Sequence, residues 1–229
     1  MKKIVPIILI IAGTCFGQAT NPDVIIKNLK EAFSKVKDYS VDADIKVDAS
    51  FIKVPEMKAK IFYKQPDKTH IQSTGFAMIP RKGLDFSPAS IFKGKYTSFY
   101  VKEDIIDNIK TSVIKIIPLE DNGEVILSTL WVDQSNNVIR KIESSTKTNG
   151  TFVINLSYDF SLNKYPLPSS ITFSFDVGRM NFAPRNEDSP GMAGEKKPAK
   201  NITGKVFITY SNYIVNKGIP DKVFEEKEK

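Results

Sequence analysis

The side chains that most often carry catalysis or hold metals are scarce in this chain and stand apart. There is one histidine, His70, and one cysteine, Cys15. His70 lies in an alternating stretch with polar Thr69 and Gln72 nearby, and no carboxylate cluster accompanies it. Zinc needs three or four such ligands converging, so a solvent-facing strand histidine is the expectation. The acidic groups of "KEDIID" (Glu103, Asp104, Asp107) and "LEDNGE" (Glu120, Asp121, Glu124) fall where turns are expected, and they read as solvated loop charges, not as an acid and base pair. The chain has no G-x-S-x-G elbow, H-E-x-x-H, P-loop or dinucleotide fingerprint. The sequence therefore points to no enzyme, no cofactor and no metal. Asn149, Asn155 and Asn201 match a glycosylation acceptor, but turn and strand roles account for two of them.

The first 19 residues, "MKKIVPIILIIAGTCFGQA", set Lys2 and Lys3 before an apolar run from Ile4 to Ala12, followed by small residues. That order predicts a secretory signal peptide over 1–19 and one exported, periplasmic domain over 20–229. The run is too short for a comfortable membrane span. In the alternative reading Cys15 is acylated and anchors the chain. Without Cys15 the domain has no thiols and must be held by its core alone. The formal charge of +7 includes Lys2 and Lys3. The remaining lysines are scattered among Asp and Glu along the chain, so no nucleic-acid partner is expected, and any membrane contact is transient.

These residues must be carried by elements of two kinds. In "NPDVIIKNLKEAFSKVKDYS", Asn21 is placed to cap a helix with Pro22 at its first position. Ile25, Leu29, Ala32, Phe33 and Val36 then recur at helical spacing, predicting an amphipathic helix over about 22–37. From Tyr39 the period changes to 2: Val41, Ala43, Ile45 and Val47 alternate with Asp42, Asp44, Lys46 and Asp48. Two more strands meet at Gln65-Pro66-Asp67, and others are expected near 96–102, 112–118, 124–133, 138–148, 151–160, 169–178 and 203–215. Hairpins are read at Asn149-Gly150 and around Gln134 to Asn137. Ser87 before Pro88 begins a short second helix near 88–93 that Gly94 can end. Residues 179–202 lose all periodicity and are expected to form a long mobile loop, with Met180, Phe182 and Met192 as adaptable contacts.

Phe, Tyr and Trp number 15, 8 and 1, concentrated between Phe51 and Phe224. The segment 167–177, "LPSSITFSFDV", sets Ile171, Phe173, Phe175 and Val177 on one side and polar residues on the other. A single curved antiparallel sheet of about nine to eleven strands exposes more inner face than one helix and one turn can cover. Two accounts follow: the sheet closes upon itself as a core, or it curves around a cavity that an apolar guest fills.

The order of elements carries a resemblance. The leader and N-terminal helix, "YSVDADIKV", "AKIFYKQPDKTHI", "SPASIFKG", "LSTLWVDQSNNVIRKIES" and "YIVNKGIPDKVF" together resemble the LolA-type family of periplasmic outer-membrane lipoprotein carriers and sorting proteins, over residues 21–226. The resemblance implies an α+β fold: an unclosed β-barrel with helices as a lid over a hydrophobic cavity that takes lipoprotein acyl chains. It implies acylated lipoproteins or free lipid as partners, with an inner-membrane releasing transporter, an outer-membrane acceptor and a monomeric carrier. Where the family usually has an arginine before the proline and an aromatic after it, this chain has Gln65 and Thr69. The fold also hosts periplasmic modules that sense or scaffold envelope components, which is the alternative function.

On this reading the lipid-binding cavity is lined by alternating residues: Val47, Ile61, Tyr63, Leu130, Phe152, Ile154, Leu156, Phe173 and Phe175. The lid carries Ile25, Leu29, Phe33, Ile91 and Phe92. For each lining residue the other assignment is ordinary core, and Trp131 fits either face.

Overall fold

The computed structural model describes residues 20–49, 55–73, 91–120, 123–147, 150–177 and 202–225. The leader, the 179–201 part of the expected loop with Met180, Phe182 and Met192, most of the expected second helix, and Asn149 of one hairpin lie outside these residues.

Among the described residues the elements follow in the order α1 (Pro22–Ser34), β1 (Asp38–Ala49), β2 (Met57–Lys64), β3 (Lys68–Ser73), β4 (Tyr96–Ile106), β5 (Ile109–Pro118), β6 (Val125–Asp133), β7 (Val138–Thr146), β8 (Thr151–Ser157), β9 (Ser170–Val177) and β10 (Ile202–Val215). A 3-10 turn at Asp221–Phe224 ends the described chain. The strands form one antiparallel sheet in the order β3-β2-β1-β10-β9-β8-β7-β6-β5-β4. Its outermost strands, β3 and β4, do not pair, so the barrel stays open.

Asn21 caps α1 as its type predicts: its Oδ1 accepts the Asp23 amide at 2.9 Å, and Pro22 opens the helix. The helix stops at Ser34, short of the expected 37, and the apolar stripe continues to a fully buried Val36 in the connection to β1. Ile25, Ile26 and Leu29 bury themselves against the concave face of the sheet. That face is where the even-numbered residues of β8 and of β10 up to Tyr210 and the odd-numbered residues of β1, β2 and β9 point, because successive side chains alternate sides.

Two expectations about strands are corrected. β4 and β5 run further toward each other than 96–102 and 112–118, joined by a two-residue turn in which Asp107 and Asn108 both have positive φ (48° and 65°). Asp and Asn tolerate that region, which suits the right-handed twist of a hairpin. Glu103 and Asp104 are therefore strand residues, not loop charges. β8 ends at Ser157, so Tyr158 and Phe160 leave the pleat: their rings stack at 5.8 Å and receive the Arg140 guanidinium.

Candidate lipid-binding face

The register aligns the expected lining residues across the concave face. Val47 faces Val206, Val206 faces Phe173, Phe173 faces Ile154, Ile154 faces Ile142, Ile142 faces Leu130, Leu130 faces Ile114, and Ile114 faces Tyr100. This is one apolar row running from β1 to β4. In it Val47, Phe173, Ile154 and Leu130 are four of the nine candidates. A neighbouring row pairs Phe152 with Phe175 and Phe175 with Gly204. Gly204 is required there, since a Cβ would come within 2.4 Å of the Phe175 ring.

The candidates divide into two groups by burial. Ile61, Tyr63, Leu130, Ile154 and Leu156 are buried in the core. Val47, Phe152 and Phe173 are half-buried and pack against its edge, and Phe175 is half-buried beside them. Phe152 and Phe173 lie 5.5 Å apart, and Phe173 and Phe175 5.7 Å. This aromatic patch is the half-buried part of the candidate lining. Of the lid residues, Ile25, Leu29, Phe33 and Phe92 are buried and Ile91 is half-buried.

The opposite end is plugged by aromatic rings. Tyr39 stacks on Tyr63 at 5.2 Å, Phe33 meets Tyr63 edge-on at 5.6 Å, and Tyr213 approaches Tyr39 at 5.8 Å. Beneath the C-terminal end of α1 these rings leave a cavity of about 70 Å³, lined by Leu29, Phe33, Ile61, Ile71, Leu156, Ile171 and a tyrosine group that includes Tyr158, Tyr210 and Tyr213. No charged side chain lines it. Tyr210 lies on the inner face of β10, as the alternation of Val206, Ile208 and Tyr210 implies, and Tyr213 joins it only because the register shifts by one residue near Asn212, whose φ is positive (56°); both were absent from the expected list. Burial pushes the ionisation of Tyr158, Tyr210 and Tyr213 well above the usual phenol range, so all three are neutral.

Gln65 takes up the position that the resemblance assigns to arginine, and it holds the helix. Its Nε2 donates to the carbonyls of Ser34 (3.1 Å) and Val36 (2.8 Å). The Asn216 side chain donates to the Lys35 carbonyl at 2.8 Å and accepts the Lys37 amide at 2.7 Å. The carbonyls at the end of α1 and in the connection after it, left without partners as at any helix end, thus find donors just beyond β2 and just beyond β10. Toward its other end α1 meets β4 through exposed contacts: Ser98 Oγ donates to Asp23 at 2.8 Å, and Lys30 Nζ donates to Tyr96 Oη at 3.3 Å. The Lys30 ammonium also lies 5.4 Å from the ring centres of Phe92 and Tyr96. Thr69, at the family's aromatic position, is exposed and borders the cavity.

The remaining chemical candidates fall away from this face. His70 faces Phe62 on the outer side of the sheet but is only 8 % exposed, so the solvent-facing expectation is corrected: the Phe62 ring, 6.1 Å away, lies beside the imidazole. Trp131 faces outward, where its Nε1 donates to Asp104 at 3.0 Å and Lys141 lies 4.2 Å from its ring centre. The bonds from Trp131 and Ile105, with Lys102 alongside, bring the Asp104 carboxyl down to about 2. Among the described residues no three His, Cys, Asp or Glu side chains are placed to hold a metal ion, and no helix is long and apolar enough to cross a membrane.

No protein-family model matches the chain, and no curated protein matches it in sequence. Solved structures do match it in shape. A LolA superfamily protein from Nitrosomonas europaea superposes with a TM-score of 0.59 at 14% identity, covering 90% of this chain and 98% of that one. A DUF1329 family protein from Desulfovibrio piger gives 0.59 at 11% identity, with the same coverage. A domain described as an outer membrane lipoprotein-sorting protein, from Vibrio parahaemolyticus, gives 0.52 at 11% identity over 89% of this chain and 97% of that one. An open antiparallel sheet with one helix laid across its apolar concave face, matched over nearly the full length of these proteins, is a LolA-like fold.

Proposed function

We propose that this protein is a non-enzymatic periplasmic carrier that binds the acyl chains of lipoproteins, or another lipid, and moves them toward the outer membrane. The observation that carries the reading is the apolar row from Val47 to Tyr100, in which Phe173 stays half-buried beside Phe152 and Phe175 of the neighbouring row. The likeness in fold to the Vibrio domain described as an outer membrane lipoprotein-sorting protein supports it. In this reading residues 1–19 direct export and are removed, and the mature chain acts as a monomer.

The energetics favour an enclosed site. At ~0.8 kcal/mol per methylene, a chain of about 16 carbons exposes on the order of 12 kcal/mol of unfavourable surface. The cavity of about 70 Å³ is less than half of the roughly 150 Å³ that encloses a benzene, so a chain enters only if α1 moves. A direction of movement is consistent with the contacts: Gln65 and Asn216 bond carbonyls at and just beyond the C-terminal end of α1, while the exposed contact of Ser98 with Asp23 is at its N-terminal end and that of Lys30 with Tyr96 lies between. In this reading the Asp23 end lifts from β4, the Lys30 contact breaks with it, and acyl chains slide along the apolar row.

The test is mass spectrometry of residues 20–229 purified from periplasm without detergent, under native conditions and again after solvent extraction. An apolar guest of stoichiometric mass that leaves only on extraction is the expected result. A bare chain, still bare after incubation with acylated lipoprotein and phospholipid, refutes it. The second reading, an envelope interaction module, would then hold. It draws on the edge strand β4, where Phe99 is 51 % and Val101 45 % exposed, the kind of edge that can accept an added strand.

A further inference from the structure

The acyl-carrier reading accounts for the tails of a lipoprotein but not for the polypeptide attached to them. The two edges of the open sheet differ in what they offer such a chain. β3 is six residues long, and its Lys68 is tied at 2.9 Å to Asp221 of the closing 3-10 turn. β4 is eleven residues long, and among the described residues β5 is its only strand neighbour. An outermost strand leaves the amides and carbonyls of its outer side unmatched. A register shift between Tyr100 and Lys102 divides β4 in two. The second half carries Lys102, Glu103 and Asp104, whose charges are balanced by ion pairs of Lys102 with Asp104 at 3.2 Å and of Lys110 with Glu103 at 2.8 Å. The first half, residues 96–100, has no charged side chain, and its Phe99 is 51 % exposed.

We infer that residues 96–100 of β4 are a docking edge for the polypeptide of the lipoprotein itself, which adds as a short extra strand while its acyl chains lie along the apolar row. The inference rests on the acyl-carrier reading and adds the place where the cargo's chain leaves. The row ends at Tyr100, opposite Ile114, in this outermost strand. A guest whose tails run toward Phe173 therefore has its acylated residue at this edge, and one strand spacing of about 4.8 Å brings the residues after it into the pairing position. The same stretch holds α1 through exposed contacts, Ser98 with Asp23 and Tyr96 with Lys30, so the movement that admits the tails begins beside it. Strand addition draws its affinity from backbone groups, so the edge asks of the cargo only an extended segment, and the uncharged half-strand suits one without strong charge of either sign. A phospholipid has no polypeptide and gains nothing there. The occupant is the cargo's own chain, which separates this role from the interaction-module reading of the same strand.

The test alters the ligand and leaves the protein untouched. Binding constants are measured for the whole domain with tripalmitoylated cysteinyl peptides whose uncharged tails have either two or eight residues, in order-of-magnitude steps of affinity. Two further forms of the longer peptide carry N-methyl groups on alternate residues, in the two possible phases, which removes the donors along one side of the tail and keeps its side chains. The longer tail should bind roughly tenfold more tightly than the shorter, from a few net hydrogen bonds less the cost of ordering the tail. One methylated phase should fall back to the affinity of the short tail, and amide exchange at residues 96–100 should slow with the unmethylated long tail alone. Equal affinity for the two tail lengths, or no loss in either methylated phase, overturns the docking edge while leaving the carrier reading intact. Binding of the longer peptide without its acyl chains as tightly as with them assigns the edge to a separate partner and also overturns the inference. If neither the acylated peptides nor dipalmitoyl phosphatidylglycerol binds, the carrier reading falls with it.

Discussion

Gln65 offers the sharpest test of how the helix is held, because a single side chain makes both of its bonds to the end of α1. Replacing it by Ala removes the donations to Ser34 and Val36, at 3.1 and 2.8 Å. Each such bond contributes about 0.5–1.5 kcal/mol net, so the pair predicts a loss of about 1–3 kcal/mol. The part-buried bond to Val36 places the value toward the upper half. The backbone bond from the Gln65 amide to the Lys37 carbonyl, at 2.9 Å, survives the substitution. Urea unfolding should therefore show a lower midpoint with an unchanged slope. Amide exchange should accelerate first in α1, since its C-terminal tether is what loosens. Gln65→Arg keeps donors at the same place and should recover most of the loss. Gln65→Glu presents only acceptors to carbonyl oxygens at neutral pH and should be worse than Ala. A loss below about 0.5 kcal/mol with unchanged exchange in α1 would refute the tether.

Other expectations follow from single positions. Phe173→Glu, at a half-buried site, should abolish retention of an acyl guest while the domain still melts cooperatively, whereas Ile154→Glu, in the core, should prevent folding; a folded Ile154→Glu domain contradicts the division of the row. Gly204→Ala forces the Phe175 ring aside and should cost about 1–3 kcal/mol in thermal unfolding. Asp133→Ala leaves Arg140 buried without its partner and should cost about 3–5 kcal/mol. Burial pushes the Asp133 carboxyl up, but the bonds from Asn136 and Arg140 outweigh it and hold it below the usual value. Lys68 and Lys64 likewise lower Asp221. The unfolded chain takes up these protons first as pH falls, so their stabilisation is complete above about pH 4 and is lost below it. Urea midpoints measured from pH 6 to pH 2 should show that fall, and a flat profile speaks against it. Trp131 emission should not change when an acyl guest binds, because the ring lies on the outer face; a large shift would move the site.

Much of this fold could be read from residue order because it rests on local rules. Asn21 and Pro22 announce the start of α1, and the strict alternation of β1 and β9 announces which side chains share a face. The paired turn residues at 65–67 and 134–137 break the chain where the hairpins lie. Each of these depends only on a residue and its near neighbours, and the physics of capping, pleat and turn is equally local. The ends of β4 and β5 were less legible, since the acidic run there resembles a loop until Asp107 and Asn108 turn the chain in two residues.

What only the tertiary structure decided is how residues far apart in sequence meet. Alternation makes Val47, Leu130, Ile154 and Phe173 inward-facing, but the register across β1, β10, β9, β8, β7 and β6 makes them one row. Alternation likewise assigns no depth, and it is the path of α1 that buries Leu130 and leaves Phe173 half covered. Gln65 looks in sequence like the absence of an arginine; in space it stands where the last carbonyl of α1 and that of Val36 just after it need a donor. Periodicity is a property of the backbone and can be read from one strand at a time. Burial and hydrogen-bond satisfaction depend on which other strands arrive, and only the folded sheet determines that.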